Sequence, residues 1–298
     1  MKMKLKSLVL VLLLSFGFKT FVSAQTISKE EMVFLTSEWK GERFPDGRPR
    51  IPDDLLVRAK HIMIDDAWTV LKNAGYLNQY EGNWKMVSDT TPMTGRAVTA
   101  MYMPSRPDLE KNIKARGAQQ GRKGNTNSWP IDVLVKGDLY VADAYGKISD
   151  GSIMGSTLAN SIFSKSGNGV VFDGAARDLQ EIRLMKGFNA LVRDFHPSFT
   201  AEMVLMGLNT PIHIGGAIVL PGDLVCHDWH HRGQRGDNWA NAPYARLAFK
   251  NNLKPGETPL IEIWGLHNAI NAVFDHLSNI PGIQPVVEIK ESEMVLGM

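Results

Sequence analysis

The sequence predicts an α/β fold, and three observations lead to this prediction. Strand-like and helix-like patterns alternate from about residue 137 onward, which is typical of layered α/β proteins. The composition, 44% hydrophobic and 21% charged, is that of a globular chain and excludes disordered and collagen-like proteins. A single cysteine, Cys226, excludes a disulfide scaffold, and 298 residues are enough for one or two domains with a full core.

Residues 1–24 have the three parts of a secretory signal peptide. Three early lysines precede an apolar run over residues 8–18, and small residues stand at the end, in Val22-Ser23-Ala24. The apolar run is short for a bilayer span, so a signal cleaved after Ala24 is the expectation and an uncleaved anchor is the alternative. We therefore expect an exported protein, periplasmic or secreted, that is not held at the membrane after cleavage.

Cleavage would also change the sign of the net charge. The segment carries four lysines and no acidic residue, so its removal takes the formal charge from +2 to −2. A slightly acidic mature chain gives no indication of binding to nucleic acid or to anionic membranes.

Residues 25–51 are predicted to form an N-terminal extension. Apolar residues at helical spacing predict amphipathic helices over residues 29–39 and 52–74. Between them, residues 41–50 are rich in proline, glycine and arginine, a composition that predicts an extended arm wrapped over the surface.

Shorter patterns fill the region from residue 52 to residue 225. Strands are predicted at 96–103, 132–135, 139–143, 169–173 and 190–193, and helices at 156–166 and 179–186. Residues 114–127 lack apolar periodicity, which predicts a flexible surface loop.

Two blocks in this region could carry chemistry. In the first, the apolar strand at 169–173 leads to Arg177-Asp178, where an arginine can bind a carboxylate and an aspartate can hold a divalent cation. The alternative is an exposed pair in which Asp178 caps the next helix. In the second, residues 150–160 form a glycine-containing loop that opens a helix and offers backbone N–H groups to an anion. Its alternative is an ordinary helix with Ser156 as N-cap.

Taken together, four motifs resemble the RraA-like family. They are Lys136–Asp143, Met154–Ala159, Gly169–Asp178 and Val219–Val225, and the resemblance extends over roughly residues 52–225. The family includes the regulator of ribonuclease activity A and the 4-hydroxy-4-methyl-2-oxoglutarate aldolases, which are often mislabelled as dimethylmenaquinone methyltransferases. The resemblance implies an α/β/α sandwich that assembles as a homotrimer, with sites between subunits.

It also implies roles for individual residues. In the aldolases an arginine binds the pyruvyl carboxylate and the next aspartate holds Mg²⁺, and these positions fall on Arg177 and Asp178. Substrate contacts would come from Arg177 and from the start of the helix, at Gly155, Ser156, Thr157 and Leu158. In the aldolases an acidic residue precedes the Arg-Asp pair, with twenty residues between them. In this sequence that position is Ser156.

The serine leaves two functions open. The first is a Mg²⁺-dependent lyase, an aldolase or decarboxylase, acting on a pyruvate-yielding oxo acid such as 4-hydroxy-4-methyl-2-oxoglutarate or oxaloacetate. Retro-aldol cleavage needs a base, and a serine does not replace a carboxylate at neutral pH. The second is therefore a non-catalytic trimeric binding protein. The ribonuclease regulator acts in the cytoplasm, so the predicted export argues against that role.

Residues 226–298 depart from the family pattern. Three histidines and an aspartate follow Cys226 within five positions, a composition that suits zinc but has no evident scaffold. The alternative is translation out of frame over residues 226–239, because codons read one base later permit an apolar, glycine-containing strand. The nucleotide sequence after Val225 would decide between them.

Overall fold

A computed structural model describes residues 25–60, 64–88, 91–228 and 246–248. The predicted signal segment and most of the chain after residue 228 lie outside this part. Within it, no helix has the length and apolar character needed to cross a membrane.

The centre of the fold is a mixed sheet. Four strands run parallel and lie side by side: β3 (Met93–Pro104), β4 (Asp138–Met154), β5 (Val170–Ala176) and β6 (Ala190–Phe195). Antiparallel strands β7 (Met203–Leu208) and β10 (Leu224–Asp228) both pair with β3. Short strands extend the two edges: β1 (Tyr80–Glu81) and β11 (Arg246–Ala248) beyond β10, and β2 (Lys85–Met86) beyond β6. The predicted α/β class is confirmed.

Alternate residues of the parallel strands point to opposite faces, and each face has its own core. One face packs against four helices: α4 (Pro107–Gln119), α5 (Trp129–Asp132), α6 (Ser156–Ser166) and α7 (Leu179–Arg183). The other face is covered by a two-stranded hairpin, β8 (Ile212–Ile214) and β9 (Ala217–Val219). The helices thus lie next to the ends of the parallel strands, where a site can form.

A third cluster joins the N-terminal part of the chain to β10. The N-terminal extension contains α1 (Lys29–Leu35) and is followed by α2 (Asp53–Ala59) and α3 (Ile64–Asn73). The helices α2 and α3 pack with the end of the extension against Leu224 and Cys226 of β10. The helix predicted over 52–74 is therefore two helices. The arm between α1 and α2 is not confined to the surface, because Arg48 is 2% exposed and its Nη2 lies 3.0 Å from Asp138 Oδ2.

Three predicted segments are wrong. Residues 132–135 are not a strand: Pro130, in the first turn of α5, favours a helix there, and Val135 is exposed. The predicted loop 114–127 is wrong over residues 114–119, which belong to α4; the core-facing stripe of this helix includes Gly117, which an apolar pattern does not count. Residues 150–154, predicted as loop, are the last part of β4 and pair with β5.

In the unusual region after Val225, the structure describes residues 226–228 and 246–248. Cys226 and His227 are buried and continue β10 in register with Thr94 and Met93. Residues 229–239, on which both the metal-site and the out-of-frame interpretations depend, lie outside the described residues.

Candidate functional site

The candidate site lies where three parallel strands end. Met154 of β4, Ala176 of β5 and Phe195 of β6 stand in register. The ladder continues by one residue, because the Arg177 N–H donates to Met154 O and the His196 N–H donates to Ala176 O, both at 2.9 Å. Gly155, Arg177 and His196 are therefore neighbours at one sheet edge, about 4.8 Å apart along the hydrogen-bonding direction. This row of three residues is called the strand-end row below.

Asp178 turns the chain from β5 into α7 and points its carboxylate at another helix. It adopts a left-handed conformation, φ 60° and ψ 37°, which aspartate tolerates better than most residues. Its Oδ2 accepts a 2.9 Å hydrogen bond from the N–H of Ser156, the first residue of α6. Asp178 does occupy the N-cap position of α7, as the alternative had it, but its side chain makes no capping bond to that helix and bonds to α6 instead.

Gly155, not Ser156, is the N-cap of α6. Its backbone is extended, with φ −117°, so the conformation itself does not require glycine. A Cβ at this position would overlap Asp178 Oδ2 and would lie 3.0 Å from Arg177 Nε. Glycine is thus needed because the Arg177 and Asp178 side chains lie against this backbone.

Asp178 also changes what the start of α6 can bind. The predicted anion site used the N–H groups from Gly155 to Leu158, but the Ser156 N–H already serves the Asp178 carboxylate. The N–H groups of Thr157 and Leu158 lie in the first helical turn, where no intrahelical partner exists. The Leu158 side chain packs against the core, so only its backbone could serve a ligand.

The Arg177 and Asp178 side chains form only a loose pair. Arg177 Nη1 lies 3.7 Å from Asp178 Oδ1, beyond hydrogen-bond distance, and the side chains are 41% and 30% exposed. The guanidinium can therefore take a ligand carboxylate, and Oδ1 can take a cation. An anion at the start of α6 would lie beside a carboxylate, so its binding there calls for positive charge from Arg177 and from a cation on Asp178.

A divalent cation at this site would be held by one carboxylate, that of Asp178, and otherwise by water. In the described residues, no group of three or more His, Cys, Asp or Glu side chains could hold a metal ion. Mg²⁺ is commonly bound through one or two carboxylates with several waters retained, and Asp178 Oδ1 meets that requirement.

Sequence reasoning missed His196. Its Nδ1 lies 2.8 Å from Ser198 Oγ and accepts the Ser198 N–H at 3.3 Å, and the ring is half-buried. The Ser152 hydroxyl donates to the His196 carbonyl at 2.8 Å, which ties this segment to β4. The available signal was its position directly after the third strand of a parallel set, because such ends share an edge.

A second polar cluster lies around Asp143, which pairs in register with Asp173. His213 Nε2 lies 3.1 Å from Asp143 Oδ2, and Arg193 bonds Asp173 and lies 3.0 Å from Glu81 Oε1. Burial raises the pKa of Asp143, an effect that the Tyr145 N–H and His213 oppose and Asp173 reinforces. These ion pairs join β1, β4, β5, β6 and β8, and we assign them to the fold.

Comparison with known proteins decides the family. The sequence model of the RraA-like family, described as Aldolase/RraA, matches residues 61–230. The chain belongs to the RraA-like family. The chain is also 25% identical to the uncharacterized protein MJ0644 of Methanocaldococcus jannaschii over 172 residues, which are 56% of this chain and 75% of that protein.

Solved structures agree on the RraA-like fold. Streptomyces coelicolor RraAS2, an unusual member of the RNase ES inhibitor RraA protein family, aligns with a TM-score of 0.54 and 21% identity over 76% of this chain and 94% of that chain. A structure described as novel cellulases from microbes associated with the gut ecosystem aligns with a TM-score of 0.53 and 17% identity, over 68% and 84%. At these identities both show the fold alone.

Proposed function

We propose that this RraA-like protein is a Mg²⁺-dependent carbon–carbon lyase that releases pyruvate from an oxo acid, such as 4-hydroxy-4-methyl-2-oxoglutarate or oxaloacetate. The observation that carries the proposal is the arrangement of Arg177 and Asp178. Both follow β5 directly, both are partly exposed, and Asp178 Oδ1 is held next to the start of α6 without a hydrogen-bond partner among the described residues.

Each residue has a defined task in this proposal. Arg177 binds the carboxylate of the pyruvyl unit, to which a guanidinium can donate two parallel hydrogen bonds. Asp178 holds Mg²⁺ through Oδ1 while its Oδ2 stays on the Ser156 N–H, which fixes the direction of the carboxylate. When bound, the cation supplies positive charge that stabilises the enolate left by cleavage. The Thr157 and Leu158 N–H groups offer further donors to the substrate.

The reaction balances without an oxidant or a second substrate. In 4-hydroxy-4-methyl-2-oxoglutarate the hydroxyl proton passes to water, the bond between C3 and C4 breaks, and its electron pair enters the 2-oxo group as an enolate. A solvent proton then gives pyruvate, and the departing half is a second molecule of pyruvate. In oxaloacetate the same enolate forms as carbon dioxide leaves.

The test is pyruvate release by the purified protein, first with Mg²⁺ and then with a chelator. Asp178→Asn keeps an oxygen for the Ser156 N–H and removes the charge, so it should abolish Mg²⁺ binding and lower kcat by on the order of 10²-fold or more. Asp108→Asn is the matched control, because Asp108 is an exposed carboxylate paired with Arg106. Release that persists both in chelator and in Asp178→Asn would contradict the proposal.

Ser156 favours a second candidate, a non-catalytic binding protein that retains the fold. The serine stands where the resemblance calls for an acid, so the side chain at position 156 carries no carboxylate. Ser156→Asp separates the two functions. If the wild type is inactive and the variant releases pyruvate, the serine is the cause of the lost activity. Turnover by the wild type would remove this candidate.

Two further parts of the proposal rest on sequence. We place the enzyme outside the cytoplasm because of the signal-like segment at residues 1–24, which also argues against ribonuclease regulation. We expect a homotrimer from the family resemblance, and sedimentation of the mature protein measures it. The partner we expect is a small oxo acid, with no nucleic acid bound.

A further inference from the structure

We infer that His196 contacts the substrate and donates a hydrogen bond from Nε2 to the 2-oxo oxygen of the pyruvyl unit. This inference rests on the proposed lyase function and names a further residue of the same site. It is drawn from the strand-end row, from the hydrogen bonds of the imidazole, and from the chemistry of a 2-oxo acid.

The first step is position. His196 follows β6 as Arg177 follows β5, and the His196 N–H still bonds to Ala176 O at 2.9 Å. Residues in register on neighbouring parallel strands direct their side chains to the same face. A Cβ at Gly155 would meet Asp178 Oδ2 first and would lie 3.0 Å from Arg177 Nε, so Gly155 faces the same side as the Arg177 side chain. His196, at the other end of the strand-end row, therefore belongs to the face that carries Arg177.

The second step is the tautomer. The Ser198 N–H donates to Nδ1, and the Ser198 hydroxyl accepts the Asp150 N–H at 2.7 Å, which leaves its own hydrogen for Nδ1. An Nδ1 that accepts hydrogen bonds carries no proton in the neutral ring, so the proton lies on Nε2. In this tautomer Nε2 carries the hydrogen and can donate a hydrogen bond, while the Nδ1 lone pair faces Ser198.

The third step matches this donor to the substrate. The carboxylate and the 2-oxo oxygen of an oxo acid are on adjacent carbons, so donors on adjacent strands can serve both. In the proposed binding mode the carboxylate lies on Arg177 and the oxygen that becomes negative during cleavage faces His196. Oriented donors at such an oxygen stabilise the developing charge, and removing one costs about 10²- to 10³-fold in kcat.

The experiment uses three substitutions of His196 and one control. Asn can still accept the Ser198 N–H but lacks the Nε2 donor, Leu lacks both, and Gln places an N–H near the Nε2 position. We expect His196→Asn and His196→Leu to lower kcat by about 10²-fold, with Mg²⁺ affinity unchanged, and His196→Gln to recover part of the loss. His213→Gln, which alters an exposed histidine of the Asp143 cluster, should leave kcat unchanged.

Oxalate, a planar dianion shaped like the pyruvate enolate, gives a measurement that does not need turnover. Calorimetry with Mg²⁺ present should show weaker oxalate binding to His196→Asn than to the wild type. If the wild type releases pyruvate and His196→Asn keeps its kcat and oxalate affinity, the role of His196 is overturned and the lyase stands. If the wild type releases no pyruvate, the lyase function is overturned. If, in addition, the wild type binds no oxalate, or binds it with the same affinity as His196→Asn, the role of His196 is overturned as well.

Discussion

At the scale of single residues, Gly155 is the position where the fold and the site constrain each other most. Its backbone conformation is open to any residue, but a Cβ would overlap the Asp178 carboxylate and approach Arg177. We expect Gly155→Ala to lower the free energy of unfolding by about 1–3 kcal/mol, as overpacking does. It should also weaken Mg²⁺ binding, because the methyl group displaces Asp178 from the Ser156 N–H.

Gly216→Ala is the matched control for this substitution. A Cβ at Gly216 meets nothing within 4 Å, so the same chemical change should leave unfolding in urea and Mg²⁺ titration as in the wild type. A Gly155→Ala protein with wild-type Mg²⁺ affinity would show that Asp178 does not depend on this close approach.

Asp143 gives a prediction about pH. Burial raises the pKa of this carboxyl, so between the unfolded and folded pKa values the folded state binds more protons than the unfolded state. Its contribution to stability is then greatest at low pH and is lost as the pH rises through the folded pKa. Asp143→Asn removes this titration, so the variant should gain stability relative to its parent from pH 4 to pH 7.

The measurement is unfolding in urea at both pH values, with and without Asp143→Asn, in a His213→Gln background. That background removes the imidazole that faces Asp143, while Asp173 and the Tyr145 N–H remain as its polar neighbours. Stability curves that run parallel from pH 4 to pH 7 would mean that the carboxyl titrates normally.

At the scale of elements, α6 and α4 show what sequence patterns can and cannot predict. Helix α6 is found where it was predicted, over 156–166. It buries apolar residues at helical spacing, and Gly167, in the left-handed region, ends the helix. Residues 114–119, the second half of helix α4, were predicted as a loop. Its buried stripe is Leu109, Ile113 and Gly117, and the glycine counts as apolar surface only because Trp129 lies on it.

Gly117 in α4 reverses an ordinary rule. Replacing a glycine by alanine inside a helix normally stabilises by up to about 1 kcal/mol. Here a Cβ would run into the Trp129 ring, so Gly117→Ala should destabilise by about 1–3 kcal/mol in urea unfolding. In a Trp129→Leu background the clash is relieved and the same change should be neutral or stabilising. Equal effects in both backgrounds would disprove the contact.

At the scale of the whole molecule, the sequence predicts the α/β class and the place of Arg177 and Asp178 after a buried strand. It does not predict the contacts between segments that are far apart in the chain. The alternating patterns identify β4, β5 and β6, and the rule for parallel strand ends indicates where a site forms. The register that places His196 beside Arg177 and the bond from Ser156 to Asp178 are tertiary facts. Residue spacing along the sequence predicts neither the register nor this hydrogen bond.

A buried ion network is the clearest of these relations, since it joins the N-terminal arm to β3 and β4. Asp138 is fully buried, with Arg48 Nη2 at 3.0 Å and Arg96 Nε at 3.2 Å, and both arginines are 2% exposed. Asp138→Asn removes the carboxylate that buried Arg48 and Arg96 share and leaves only Asp53 paired with Arg96, so urea unfolding should show a loss of about 3–5 kcal/mol. Asp108→Asn, in an exposed pair with Arg106, should cost less than about 1 kcal/mol. Equal losses of unfolding free energy in the two variants would mean that the ion pairs of Asp138 do not hold the arm in place. The packing of Trp39 and Ile51 would then hold it.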